Sequence, residues 1–242
     1  MSINQQMKDI GERSVKASEE IKQISTESKN NLLIRMAGQI EKDKQLIVNA
    51  NQKDVLKAEG SISLSMIDRL MLNEDRIESI ILSINDIVKL KDPTGIVINS
   101  NTRPNGMVVE RVSVPIGVIG IIYESRPNVT VDASVLCLKA GNSVILRGGK
   151  ESYFSNLQLV KSMQIAIEEE GLDKNIIQFI ETTDRAAVDI MLSDMINYID
   201  VVIPRGGKGL VKKVQEKARI PVIGHLDGCL LYTSPSPRDK HR

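Results

Sequence analysis

Val114-Pro-Ile-Gly-Val-Ile-Gly-Ile-Ile-Tyr-Glu-Ser-Arg-Pro-Asn-Val-Thr130 is the stretch on which the fold turns. From Gly117 to Tyr123 it is almost continuously apolar. That pattern marks a strand buried on both faces rather than one with a wet side. The run stops at polar turn residues, Glu124 to Asn128, and Val131, Val135 and Leu138 then fall on one helical stripe. In open α/β sheets, ligands bind where such strands end.

The same grammar repeats toward the C-terminus. Ser143–Leu146, Ile176–Ile180, Asp200–Ile203 and Ile220–Ile223 read as further strands. Between them Leu159, Met163 and Ile167 mark one helix, and Val188, Met191, Leu192 and Met195 another, with Thr183 as its N-cap. Residues 209–218 form a last helix. Repeated strand–helix–strand units imply a Rossmann-like, parallel, doubly wound α/β sheet. Upstream, Leu33, Met36, Ala37 and Ile40, and later Ile77, Ile80, Ile81 and Ile84, carry helical spacing, with a Gly/Ser turn at 58–63 between them. Residues 1–92 are therefore mostly helical, closed by Asp92-Pro-Thr-Gly95, and are expected to cover one face of the sheet. Val108, Val109, Val112 and Val114 form a β-branched segment interrupted by Glu110 and Arg111.

Composition narrows the function. The 242 residues carry 32 Lys and Arg against 31 Asp and Glu, a formal charge of +1. That balance argues against nucleic acid or a membrane surface as partner. No apolar run approaches the roughly 20 residues of a membrane span. Aromatic residues make up 2% with no Trp, so the core must be aliphatic. Cys137 and Cys229 make no disulfide framework, which points to a reduced, cytoplasmic setting. Cys137 lies in the apolar Val135-Leu-Cys-Leu138 and reads as a core thiol. No His or Cys cluster offers a metal site.

Two basic loops follow strand ends: Arg147-Gly148-Gly149-Lys150 and Arg205-Gly206-Gly207-Lys208. Glycines there let a ligand approach the backbone, and the helix after Gly207 presents unpaired N–H groups to an anion. The same loops serve equally well as turns with solvated charges. Neither is a P-loop: Glu151 and Gly209 stand where Ser or Thr would meet a metal. Gly117 and Gly120 lie inside a strand, so the usual dinucleotide fingerprint is missing too. In the first loop Arg126 can hold a carboxylate or phosphate, and Asn128 can donate to a developing oxyanion.

Several strings together resemble the γ-glutamyl phosphate reductase (glutamate-5-semialdehyde dehydrogenase) family of the aldehyde dehydrogenase superfamily. They are Asp68-Arg-Leu70, Arg103-Pro-Asn-Gly106, Tyr123-Glu-Ser-Arg-Pro-Asn-Val-Thr130, Ile145-Leu-Arg-Gly-Gly149, Thr182-Thr-Asp-Arg185, Ile203-Pro-Arg-Gly-Gly207 and His225-Leu-Asp-Gly228. The resemblance implies NADPH-dependent reduction of γ-glutamyl phosphate to glutamate-5-semialdehyde with phosphate release, a step of proline biosynthesis, through a cysteine thioester. It places Ser125, Arg147, Gly148, Gly149, Lys150, Arg205, Gly206 and Gly207 on NADP, with Arg147 and Lys150 favouring the 2′-phosphate. It places Arg126 and Asn128 on the substrate, and it implies a homo-oligomer.

The family pattern continues His-Leu-Asp-Gly-Ile-Cys-His, and the resemblance puts the nucleophile on that cysteine. Here Cys229 comes one position early, so no catalytic nucleophile is assigned. Residues 1–228 are expected to form the NADP-binding domain, and 229–242, with Pro235 and Pro237 and no periodicity, a disordered, non-native tail. A catalytic domain is missing on this reading, and the chain alone is expected to be inactive. The alternatives are a non-catalytic nucleotide-binding module and a dehydrogenase for another aldehyde or acyl phosphate.

Overall fold

The computed structural model describes residues 2–224. Five helices open the chain: α1 (Ile3–Ile21), α2 (Thr26–Lys42), α3 (Lys44–Ala58), α4 (Leu64–Leu70) and α5 (Glu74–Lys89). A hairpin follows, β1 (Val97–Thr102) and β2 (Val108–Val112). The alternating part then runs β3 (Val118–Tyr123), α6 (Asn128–Lys139), β4 (Ser143–Arg147), α7 (Tyr153–Glu169), β5 (Ile177–Phe179), α8 (Ala186–Ser193), β6 (Val201–Arg205) and α9 (Lys208–Lys217).

β3 to β6 form one parallel sheet in the order β5-β4-β3-β6. All six residues of β3 are buried, as its unbroken apolar run requires. Pleating sends alternate side chains to opposite faces. Ile119, Ile121, Tyr123, Val144, Leu146 and Ile177 join one core with α6 and α7. Val118, Ile122 and Ile145 join another with α8, α9 and the start of α1. Helices thus cover both faces, and the sheet is doubly wound. The chain steps outward from β3 to β4 to β5, then crosses back through α8 to place β6 on the other side of β3. That reversal is the switch point of the sheet, and it lies between β3 and β6.

Three sequence expectations need correction. The segment 220–223 is not a full fifth strand. It makes a single parallel bridge, Val202 to Val222, flanked by Val202 N donating to Pro221 O (2.9 Å) and Ile223 N to Val202 O (3.0 Å). Pro221 has no N–H to extend the ladder. The N-terminal helices do not simply cover one sheet face. α2, α3 and α5 pack on α6 and α7 as an outer layer. α1 instead crosses to the opposite face, where Met7 is buried and Gln178 Nε2 donates to Ile10 O (2.6 Å). Thr183 does not cap α8. The helix begins at Ala186, whose N–H is accepted by Asp184 Oδ1 (2.9 Å).

The β-branched segment is strand β2, paired antiparallel with β1. Sequence pattern missed β1, because Asn99, Ser100 and Asn101 break any apolar alternation. Every residue of this ribbon is exposed.

Two buried polar clusters fasten the helical layer. Asp54 on α3 accepts from Phe154 N (3.1 Å), Ser155 N (2.7 Å) and Ser155 Oγ (2.6 Å), so it caps the N-terminus of α7 from another helix. Beside it, Asn51 donates to Leu70 O (2.8 Å) and accepts from Leu72 N (2.7 Å). The second cluster holds Asp92 against Lys29 Nζ (3.0 Å), Thr26 Oγ1 (2.7 Å) and Thr94 N (2.9 Å). Burial by itself would raise the Asp92 pKa. The bonds from Thr94, Thr26 and Lys29 outweigh it and hold the carboxyl well below the ordinary carboxylate range.

A depressed folded-state pKa contributes stability above the unfolded value of about 4 and loses it as pH falls further. The melting temperature of the wild-type chain is therefore expected to drop more steeply below pH ~4 than that of Asp92→Asn. Parallel acid melts of the two would reject this role for Asp92.

Candidate functional site

The carboxyl ends of the four parallel strands converge on one rim. After β3, Glu124 N donates to Arg205 O at the end of β6 (3.2 Å). Glu124 Oε2 accepts from Gly207 N (3.0 Å), at the threshold of α9. A carboxylate thus already lies at a helix N-terminus beside the switch point, where the dipole favours an anion. Packing there is close: a Cβ at Gly206 would fall 2.6 Å from Glu124 Cδ.

The β3 loop also meets the β4 loop. Ser125 Oγ donates to Glu151 Oε2 (2.8 Å), and a Cβ at Gly149 would lie 3.1 Å from Ser125 N. Beneath them, the Tyr123 hydroxyl pairs with Thr130 Oγ1 (2.7 Å), and Thr130 Oγ1 with Asn156 Oδ1 (2.9 Å). Burial pushes the Tyr123 phenol well above its usual pKa, which keeps it a neutral partner in this network.

Arg147 joins the β4 loop to the loop after β5. Its guanidinium donates to the carbonyls of Gly148, Thr183 (3.2 Å) and Asp184 (3.5 Å). It is 8% exposed, and its Nε has no hydrogen-bond partner among the described residues. Burial lowers its pKa. Sequence placed this arginine on a ligand, but the structure turns it inward as a clamp between two strand-end loops. Lys150, three residues later, is exposed on the rim.

Arg126 and Asn128 lie to one side of the rim, in a cleft of about 450 Å³ between the β3–α6 loop and helices α4 and α5. Asn128 Nδ2, at the start of α6, donates to Asp132 Oδ2 one turn later (3.0 Å). Burial raises the Asp132 pKa, while Asn128 and the nearby charge of Arg205 lower it. Arg69, within the Asp68-Arg-Leu70 string, and Asp132 also line the cleft, and sequence alone assigned neither a role. Only the fold brings residues of α4 and α6 to one cleft.

A cavity of about 700 Å³ lies elsewhere. It runs along the outer edge of β5 between α1 and α7, and reaches Glu181 and Thr182. None of the rim glycines or arginines line it, so the switch-point rim and its side cleft are the stronger site on chemistry. Cys137 is buried in the core, and burial pushes its thiol up to about 12. It is a packing residue, protonated at neutral pH. His225 and Cys229 lie outside the described residues. Among those described, no group of three or more His, Cys, Asp or Glu can hold a metal, and no helix is long and apolar enough to cross a membrane.

Residues 2–226 match the aldehyde dehydrogenase family, and the chain belongs to it. Within that family it is similar to γ-glutamyl phosphate reductases. It is 46% identical to the one from Bartonella tribocorum over 94% of this chain and 56% of that protein. The crystal structure of the Thermotoga maritima γ-glutamyl phosphate reductase superposes with a TM-score of 0.87 at 40% identity, covering 89% of this chain and 52% of that one. The Saccharomyces cerevisiae enzyme gives 0.83 at 34% identity, over 94% and 57%. The chain thus spans about half the length of the relatives it matches. Membership of this family implies a nicotinamide cofactor.

Proposed function

We propose that this chain provides the NADPH-binding half of a γ-glutamyl phosphate reductase, which converts γ-glutamyl phosphate to glutamate-5-semialdehyde and phosphate. The observation that carries this reading is the tying of the β3, β4 and β6 loops into one rim at the switch point. There a carboxylate already sits on the Gly207 N–H. A phosphorylated dinucleotide fits such a rim: backbone N–H groups at the start of α9 take its pyrophosphate, as Glu124 shows they accept an anion.

Bound there, NADPH supplies the hydride that reduces the acyl group. The chain's own residues bind and orient. Gly206 and Gly207 flank the pyrophosphate, and Gly148, Gly149 and Ser125 shape the floor. Arg147 holds the β4 and β5 loops in register from within. Arg205 joins Gly206 and Gly207 beside the pyrophosphate. Arg126 lies toward the acyl phosphate, and Asn128 is placed to donate to the acyl oxygen as it gains charge. The thiolate that accepts the acyl group comes from sequence beyond Gly228. On this reading residues 1–228 are a cofactor domain, inactive alone, and the whole enzyme is a cytoplasmic homo-oligomer.

Titrating the chain with NADPH and following nicotinamide fluorescence tests the reading. Saturable enhancement is expected, and a folded chain without it would overturn the proposal. With Arg147 turned inward, Lys150 is the cation available to a 2′-phosphate. Lys150→Ala is expected to cut the NADPH-over-NADH preference about tenfold, the worth of one charge-assisted contact. An unchanged ratio in paired titrations would remove Lys150 from that role.

A further inference from the structure

The side cleft is charged in a pattern that the cofactor does not explain. Arg69 on α4 and Arg126 on the β3–α6 loop line it, and neither guanidinium has a hydrogen-bond or ion-pair partner among the described residues. A third arginine, Arg76, is committed to the fold: it donates to the carbonyls of Asp68 and Met71 and to Asp68 Oδ1 (2.6 Å). Asp132 lines it as well. Its Oδ2 is held by Asn128, and its Oδ1 accepts no hydrogen bond among the described residues. Two uncommitted cations and one carboxylate thus share one recess of about 450 Å³.

The two arginines come from different elements. Arg126 belongs to the loop that forms the rim, next to Ser125 and its bond to Glu151. Arg69 belongs to the helical layer, away from the rim. A ligand in the recess therefore meets a cation from the rim loop, a cation from the helical layer and a carboxylate from α6. Few small molecules match that set of charges. A zwitterionic head joined by a short chain to a second anion does.

We propose that this cleft recognises the α-amino acid head of the substrate, with Arg69 taking the α-carboxylate and Asp132 the α-ammonium, while Arg126 faces the acyl phosphate. This rests on the reductase reading above and assigns specificity to two residues outside its cofactor rim. A guanidinium pairs with a carboxylate in bidentate fashion, and an ionised carboxylate oxygen accepts a charge-assisted hydrogen bond from an ammonium. Asn128 then does two things: it fixes the Asp132 rotamer and reaches toward the acyl group.

Ligand-observed NMR on the chain with saturating NADPH provides the test, using three probes. L-Glutamate carries both head charges, 4-aminobutyrate lacks the α-carboxylate, and glutarate lacks the ammonium. The wild-type chain is expected to prefer L-glutamate to either analogue by roughly tenfold. Arg69→Gln should erase the preference over 4-aminobutyrate and keep that over glutarate. Asp132→Asn should do the reverse. Arg69 makes no structural bond, so its variant is expected to fold and to bind NADPH like the wild type, and the same sample reports that binding. Equal affinity for all three probes in the wild type, or equal loss of all three in Arg69→Gln, with NADPH binding intact, would overturn the head assignment and leave the cofactor reading standing. Loss of NADPH binding by the wild-type chain would instead overturn the cofactor reading.

Discussion

Gly117→Ala is expected to destabilise the folded chain by about 3–5 kcal/mol, from backbone strain, a clash and a broken hydrogen bond together. Gly117 stands at φ +132°, a conformation that L side chains rarely adopt. Forcing a non-glycine residue there costs of order 1–3 kcal/mol. Space is also lacking, since an added Cβ would fall 2.2 Å from Asp200 Oδ2. That oxygen accepts from Val118 N (2.8 Å), the first residue of the central strand. Moving Asp200 aside strands an N–H at the root of β3, worth another ~1–3 kcal/mol. The same turn is pinned by Asn142 Oδ1, which accepts from Ile116 N (2.7 Å) and Gly117 N (2.9 Å). Total stabilities are commonly about 5–15 kcal/mol, so this one methyl group is expected to bring the chain near unfolding. Gly38→Ala is the control. Gly38 is helical with nothing within 4 Å of its added Cβ, and the substitution should be stabilising by about 0.5–1 kcal/mol. Denaturant titrations of the two variants should move in opposite directions. A Gly117→Ala midpoint matching wild type would show that the start of β3 relaxes freely.

The second large effect is expected at the rim. Gly148→Ala should weaken NADPH binding about tenfold or more, the equivalent of ~1.5 kcal/mol of lost backbone positioning. Its stability cost should be about 2–3 kcal/mol, typical of overpacking. A Cβ at Gly148 would fall 2.2 Å from Asn156 Nδ2 and 3.1 Å from the Tyr123 ring and hydroxyl. These atoms belong to the buried network below the rim, in which Asn156 Nδ2 also donates to Ser152 Oγ (3.0 Å) at the entry to α7. The network cannot give way cheaply, because each displaced group is buried and already paired. The loop must therefore lift, and it carries with it Gly149 and the contact to Ser125. Gly38→Ala, in α2 away from the rim and with nothing within 4 Å of its added Cβ, should leave binding unchanged. A Gly148→Ala chain that binds NADPH as tightly as wild type would mean that the β4 loop does not touch the cofactor.

The alternation of strands and helices from Gly117 onward was legible because its signals are local. Buried parallel strands are apolar without interruption, and helices repeat every 3.6 residues. The strand-end loops were legible for the same reason, as Gly–Gly pairs flanked by cations. The failures have a physical pattern too. β1 is exposed along its whole length, so no buried face imprinted a period on it. The segment at 220–223 is apolar enough for a strand, but Pro221 removes the donor a ladder needs. Asp184, not Thr183, serves α8, because neighbouring turn formers compete for one helix end within a span shorter than any periodic signal.

What the sequence determined by itself was the class of the fold, the family, and the loops that end the strands. These depend on residues adjacent in the chain. What only the tertiary structure decided was direction and company. It turned Arg147 inward onto the carbonyls of Gly148, Thr183 and Asp184, placed Glu124 on the Gly207 N–H, made Asp54 the cap of a helix 99 positions away, and brought Arg69 and Asp132 into the lining of one cleft. The reason is that a buried charge such as Arg147 or Asp54 must find a partner wherever packing supplies one, while the more exposed groups are placed by the elements that carry them. Packing between distant segments leaves no periodic trace in the chain.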